Sequence, residues 1–205
     1  RERTGLPKST LYELLASLEE LGAIVRTEDN RYCLGLRLVE FGEAARERLR
    51  IREIAAPYLH ALSAKFDETI HLTVLERDEV LYVDCFESSR RFRTYSVIGV
   101  RAPLHCTAVG KAIFAEMDDS HVERLLNERP LERFTETTIT GIKEMREELT
   151  RIRSRGYSID EGEHEPGIRC IGAAVTGKNG QPYASISVSG PVQRMTSEKL
   201  PEMAS

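Results

Sequence analysis

Residues 1–35 read "RERTGLPKSTLYELLASLEELGAIVRTEDNRYCLG", and a turn, an apolar-striped helix and a hairpin follow one another within them. From Leu11 the leucines fall at Leu11, Leu14, Leu15, Leu18 and Leu21, the spacing of one helical face, so a helix with one buried side is predicted from about Pro7 to Leu21. Pro7 suits a first helical turn, where its missing N–H is not needed, and Gly22 suits the left-handed stop after the last leucine. "RTGL" puts Gly5 where a tight turn between helices needs a permissive backbone, and "RER" reads as the last turn of a preceding helix, so residue 1 is expected to be the first ordered residue or a fragment boundary. "AIVR" and "RYCLG" are β-like runs separated by "TEDN", whose Asp29 and Asn30 are turn formers. The whole reads as a helix-turn-helix with a β-wing.

A recognition helix presents its amino end to base edges and phosphates. That nominates Thr4, Lys8, Ser9, Thr10 and Tyr12 as DNA-contacting, with Arg1, Arg3 and Arg31 on the backbone. A helix followed by a hairpin also serves as a plain structural corner, so pattern alone leaves both readings open.

The chain has 205 residues, 40% of them hydrophobic, enough for one large domain or for a small module and a larger one. Residues 1–50 carry nine basic and nine acidic side chains, so the net charge of −4 lies in the remainder. An acidic total does not exclude nucleic acid where one face is locally basic. No run approaches the roughly 18 apolar residues of a membrane span, and a cytoplasmic protein without membrane partners is expected. Four cysteines, Cys33, Cys85, Cys106 and Cys170, lie far apart without a C-x-x-C pair, so reduced thiols are expected rather than a zinc knuckle or a disulfide framework.

From Leu36 to Phe66 the pattern is helical, with a break near Leu49 to Arg52. Ile51, Ile54, Ala55, Tyr58, Leu59, Leu62 and Phe66 lie on one face, and Pro57 perturbs the helix. Such a segment either joins two domains, where it can pair with its own copy, or packs only on its own domain. Strand-like runs follow, "TIHLTVLE", "EVLYVDCFES" and "RFRTYSVIG", with Asp78 at the first turn. Helices are then predicted in "TAVGKAIFAEM", in "DDSHVERLLNE" capped by Asp118, Asp119 or Ser120, and from Ile142 to Arg155. The strands "YSIDEGE", "CIGAAVTG" and "YASISVSG" close the pattern, the last two joined by a hairpin from Gly177 to Pro182. Strands, helices and strands in that order predict an α+β domain with a mostly antiparallel sheet and helices on one side. The expected domains are 1–35, a winged helix-turn-helix; 36–66, a helical linker; and 67–205, a second domain.

Three segments carry candidate chemistry. "LHCTAVGK" ends in Gly-Lys but lacks the first glycine and the Ser or Thr of a phosphate loop, so what remains is a helix amino end near Thr107 to Gly110 able to hold a carboxylate or phosphate. In "SISVSG" the residues Ser185, Ser187 and Ser189 share one strand face, which suits either a polar ligand or contact with water. The acidic run "IDEGEHEPGIRC" matches no standard metal site and reads as a solvated face, so no metal or other cofactor is expected. The competing class is a small-molecule hydrolase or a thiol-based redox sensor using Cys106, with His105 as a poorly placed base.

"TGLPKSTLYELLASLEELG" followed by "RYCLGLRLVEFG" resembles the winged-helix module of the IclR family of transcriptional regulators, and the three later segments resemble that family's effector-domain motifs. The resemblance implies a GAF/PAS-like effector-binding domain, operator DNA and a small organic-acid effector as partners, a homodimer or homotetramer, and no enzyme activity. It implies effector contacts at Thr107, Ala108, Val109, Gly110, Asp160, Cys170, Ser187 and Ser189, with Tyr95 and Val97 as wall residues. "TYSVIGVRAPL" and "TTITG" further resemble the subgroup that responds to sugar acids such as 2-keto-3-deoxygluconate. Glu13 stands where the family often has a basic residue; a carboxylate there repels phosphate or accepts from a cytosine amino group.

Overall fold

A computed structural model describes residues 4–91, 94 and 98–204. The chain divides into two compact units, Arg1–Glu53 and Ile54–Ser205.

In the first unit, α1 (Lys8–Glu20) follows Pro7, whose extended backbone (ψ 148°) marks the helix start. Leu21 closes it, and Gly22 turns the chain at a left-handed φ of 69°. The strands β1 (Ile24–Arg26) and β2 (Tyr32–Leu34) pair antiparallel, Ile24 opposite Leu34, through a turn with Asn30 at φ 60°. Gly35 locks this hairpin to the helix stop. Its N–H donates to the Ala23 carbonyl at 2.8 Å, and a Cβ there would lie 2.0 Å from the Gly22 oxygen. α2 (Arg37–Glu47) follows. The leucine stripe of α1 departs from expectation: Leu14, Leu18 and Leu21 are 48%, 41% and 60% exposed. Leu11 and Leu15 of the same stripe are half-buried, so the spacing marks an apolar face that is only partly covered.

α3 (Arg50–Phe66) runs unbroken through Pro57. The single face predicted for it splits in two. Ala55 and Leu59 are buried, whereas Ile54 and Tyr58, one position earlier in each turn, are 59% and 67% exposed.

The second unit continues with β3 (Thr69–Glu76), β4 (Glu79–Phe86), β5 (Arg101–Pro103), α4 (Ala108–Glu116), α5 (Asp119–Glu128), α6 (Ile142–Arg155), β6 (Ser158–Asp160), β7 (Ile168–Thr176), β8 (Pro182–Pro191) and α7 (Leu200–Ala204). Six strands form one antiparallel sheet in the order β5-β4-β3-β8-β7-β6. The expected strand at "RFRTYSVIG" lies mostly outside the described residues; the short edge strand β5 was not foreseen. Pro182 is the first residue of β8 rather than part of the turn, paired with Thr176 at a register shift where a missing N–H is tolerated. Of the three proposed caps for α5, Asp118 serves, accepting from the His121 N–H at 3.2 Å.

The two faces of the sheet differ in chemistry. Ile70, Leu72, Val188 and Ile171 lie on one face, where Phe86, paired with Ile70, also meets His60 of α3 at a ring distance of 4.4 Å. Thr69, His71, Thr73, Ser185, Ser187 and Ser189 line the other, and α4 packs over that side. Every α4 residue from Ala108 to Ala115 is buried. Val109, Ile113 and Phe114 join Met145, Leu149 and Ile152 of α6 and Leu125 and Leu126 of α5 in the main core. The helix start descends onto β7 at Gly172, where an added Cβ would lie 2.8 Å from the backbone carbon and oxygen of Ala108.

Backbone on both sides leaves no flexible group to yield at this contact. Gly172→Ala is expected to destabilise the chain by about 1–3 kcal/mol, the usual cost of overpacking, measured by urea denaturation. A neutral effect would mean that α4 can lift from the sheet without penalty.

Candidate functional site

A cavity of about 210 Å³ lies between the polar sheet face and the start of α4. It is below the roughly 300–1,000 Å³ of sites for drug-sized ligands, hence of metabolite size. One wall is the helix start, Thr107, Ala108 and Val109. Thr107 caps α4: its hydroxyl donates to the Pro103 carbonyl at 3.0 Å and accepts from the Gly110 N–H at 3.0 Å. The helix supplies no acceptor to the N–H groups of Ala108 and Val109, which with the helix dipole favour an anion. The floor is Ser187 and Ser189 of β8, Cys170 of β7 and His71 of β3. Asp160, at the end of β6, and His164 close a third side.

Most of the residues nominated from sequence therefore converge. Gly110 does not: it faces the turn before the helix, where a Cβ would lie 2.4 Å from the Pro103 oxygen, so its smallness serves packing. Tyr95, Val97, Arg1 and Arg3 lie outside the described residues. The expectation of a solvated acidic loop is overturned for Asp160 and Glu163, both 4% exposed. Thr138 donates to the Glu163 carbonyl at 2.6 Å and Thr137 to the Gly162 carbonyl at 2.9 Å, which folds the loop inward. The Glu163 carboxylate bonds the buried Lys111 ammonium, and Glu148 lies 3.8 Å from the same ammonium. Among the described residues no cluster of three or more metal-ligating groups occurs.

Sequence reasoning missed His71, Tyr82, Thr94 and Arg101, all of which line the cavity. The signal for His71 was present: Thr69, His71 and Thr73 alternate with Ile70, Leu72 and Val74, the same period-two pattern that marked the serines. Tyr82 carried none, because a bulge in β4 shifts the register and sets Tyr82 opposite Thr73. The Thr94 hydroxyl is buried and has no hydrogen-bond partner among the described residues.

Burial sets the protonation states. The Asp160 carboxyl is pushed up to about 7, chiefly by desolvation and partly offset by the Glu163 N–H that it accepts at 2.7 Å. Desolvation lowers His71 to about 4, which keeps it neutral, and raises the phenol of Tyr82. The Cys106 thiol is fully buried and pushed up to about 12, again chiefly by desolvation. This is the reverse of the exposed, acidic thiol that a nucleophile or redox sensor requires. His105 is engaged instead with the Glu132 carbonyl, its Nε2 at 2.9 Å.

In the first unit, Lys8 and Ser9 are exposed at the amino end of α1, Thr4 is exposed before it, and Thr10 is half-buried. No side chain caps this helix start, so its first N–H groups remain available to phosphate. Tyr12 is 59% exposed, with the Lys8 ammonium 5.8 Å from its ring centre. Arg31 is exposed on the wing but held by Asp29 at 2.5 Å.

Comparison with known proteins agrees with both units. The pattern described as "IclR helix-turn-helix domain" matches residues 2–28, and that described as "Bacterial transcriptional regulator IclR C-terminal" matches residues 43–205. The chain belongs to the IclR family of bacterial transcriptional regulators. It is 35% identical over 202 residues to the HTH-type transcriptional regulator KdgR of Escherichia coli, covering 98% of this chain and 77% of that protein. The crystal structure of the Thermotoga maritima IclR superposes with a TM-score of 0.81 at 34% identity, covering 99% of this chain and 82% of that one. An IclR homolog from Microbacterium hydrocarbonoxydans, crystallised with 4-hydroxybenzoate, gives 0.79 at 27% identity, covering 99% and 85%. This IclR-family chain is thus a DNA-binding regulator of transcription and not an enzyme, and the alternative built on Cys106 is set aside. No helix among the described residues is long and apolar enough to cross a membrane.

The buried titrating pair gives a signed prediction. Between about 3.8 and about 7 the folded state keeps a proton on Asp160 that the unfolded state releases, so this group's contribution to stability is lost as pH rises through that window. His71 acts oppositely: its contribution is full above 6.5 and is lost as pH falls towards about 4. Asp160→Asn removes the first dependence only. The stability of the variant minus that of the wild type is expected to increase with pH across about 4 to about 7, read from urea melts at several pH values. A difference independent of pH would show that Asp160 is solvated.

Proposed function

We propose that operator binding by this chain is modulated by a small organic acid, a sugar acid or keto acid, held in the cavity beneath α4. The observation that carries this reading is the convergence of Ala108 and Val109, at the start of α4, with Ser187 and Ser189 on the lining of one cavity. An acceptor-rich anion matches those donors. Asp160, protonated over part of the neutral range, adds an O–H donor rather than a repelling charge. Gly110 supports the site through packing, and Cys170 lines it as a neutral thiol. The buried Thr94 hydroxyl, without a partner among the described residues, suits a ligand bearing hydroxyls beyond its carboxylate. The 4-hydroxybenzoate complex of a relative and the identity to KdgR support an organic-acid occupant.

In this reading residues 1–35 contact the operator, 36–66 connect, and 67–205 sense. The protein works in the cytoplasm as a homodimer or homotetramer, in keeping with the two half-sites that dimeric helix-turn-helix proteins read. Effector occupancy favours one arrangement of the DNA-reading modules over another.

The first test is a thermal-shift screen of the chain against sugar acids, keto acids and aromatic acids. A ligand at about 100 times its dissociation constant stabilises by roughly 2.7 kcal/mol. The expected result is a shift with a sugar or keto acid that Ser187→Ala abolishes; a shift unchanged in that variant would place the ligand elsewhere. On the DNA side, Lys8→Ala is expected to weaken operator binding similarly across sequences and to reduce the salt dependence, d log K/d log[salt], by about one. An unchanged slope would remove Lys8 from the interface.

A further inference from the structure

The Ser187 and Ser189 hydroxyls do not face the cavity alone. His71 Nδ1 lies 3.2 Å from the oxygen of each, and the two oxygens are 3.3 Å apart, so three polar groups form a closed triangle on the floor. All three residues are at least nine-tenths buried, and all line the cavity. The Tyr82 ring stands edge-on to the imidazole at 5.2 Å and fixes its plane.

A hydroxyl can donate or accept, and the imidazole decides which. If Nδ1 is bare, it takes the proton of one serine, and the second serine can donate to the first; the floor then offers mainly lone pairs. If Nδ1 carries the proton, it donates to the serine oxygens, and both hydroxyl protons can turn to a ligand once the contact between the two serines is given up. With Nδ1 3.2 Å from both oxygens, one N–H shared between two acceptors satisfies the ring and leaves both serine hydroxyls able to donate, the arrangement that an anion-holding floor requires.

We propose that His71 is the positioning residue of this pocket: its Nδ1 carries the proton, donates to Ser187 and Ser189, and so turns both serine hydroxyls into donors for a carboxylate. As a choice of ligand class, this rests on the reading of the cavity as an organic-acid site. His71 then selects for acceptors without contributing charge. Burial supports this by keeping the ring neutral at physiological pH, so the tautomer is the remaining variable. A structure with these serines but no fixed donor behind them would bind a hydroxyl as readily as a carboxylate.

The direct test needs no ligand. In the full chain, uniformly labelled with nitrogen-15, long-range proton–nitrogen correlation spectra at neutral pH report the tautomer, with His71 assigned by its loss in His71→Asn. The expected result is a proton on Nδ1 and none on Nε2; the opposite tautomer, or an imidazolium, overturns the proposal. The second arm titrates wild type, His71→Asn and His71→Leu with 2-keto-3-deoxygluconate and with the organic acids that shift the wild type. The Asn amide restores an N–H donor near Nδ1, so affinity should stay within about threefold, whereas Leu, similar in bulk and without a donor, should lose about tenfold or more. Equal affinity of the Leu variant overturns the proposal, as does an equal loss in both variants, which would mark a packing role. If no organic acid binds the wild type, the proposed function fails while the spectra still decide the tautomer.

Discussion

Where α4 meets the sheet, the Ser158 hydroxyl sits 2.6 Å from the Ala108 carbonyl and 3.2 Å from that of Gly172, and a Cβ on Gly172 would fall within 2.8 Å of Ala108. This backbone-to-backbone approach governs the second unit. It brings a helix amino end, with its open N–H groups, down onto a sheet face made of hydroxyls and an imidazole. A larger residue at position 172 would hold the helix off and separate the two sets of donors. The apolar residues of α4 on its other sides, Ile113 and Phe114 among them, pack with α5 and α6 and keep it seated.

Because the helix covers that face, its polar groups have left water, and the physics of burial sets their states. Asp160 moves towards neutrality and His71 is held neutral, both chiefly through desolvation, while Cys106 and Cys170 are held as thiols. The buried charge pair of Lys111 with Glu163 is not part of the cavity lining, and Glu148 completes it, bonding Arg151 and Arg155 in turn. Arg101 and Glu165 bring charge to the lining, whereas the floor of Ser187, Ser189, Cys170 and His71 offers dipoles and neutral groups. Such a site discriminates by hydrogen-bond direction, since a misdirected buried hydroxyl leaves both itself and its ligand unpaired.

What was legible in the sequence follows from the range over which each signal acts. α6 was read to the residue, because Met145, Leu149 and Ile152 repeat at helical spacing and Gly156 stops it at φ 81°. β3 was equally clear. The leucine face of α1 was read correctly as apolar but not as exposed, since what covers a face is a property of partners and not of the helix. For the pocket, motif resemblance brought Ala108, Asp160 and the serines together, something that no local period could do across more than fifty residues. The β4 bulge defeated alternation and hid Tyr82. The inward fold of the acidic loop depends on Thr137 and Thr138, some 25 residues before it, so its composition alone read as solvated.

The same row of alternation that exposes the serines also accounts for why His71 sits where it does. In β3 the apolar residues Ile70 and Leu72 are both fully buried on the far face, which commits Thr69, His71 and Thr73 to the polar side without further instruction. Antiparallel register then sets His71 directly opposite Ser187, and Thr73 opposite Ser185, whose hydroxyls meet at 2.6 Å. A slip of one residue in either strand would bury isoleucine under α4 and expose the hydroxyls to the hydrophobic layer. The hydrophobic patterning of two strands far apart in sequence therefore fixes the geometry of a polar triangle to which it contributes no atom, and the packing that stabilises the sheet is the same packing that aims its donors.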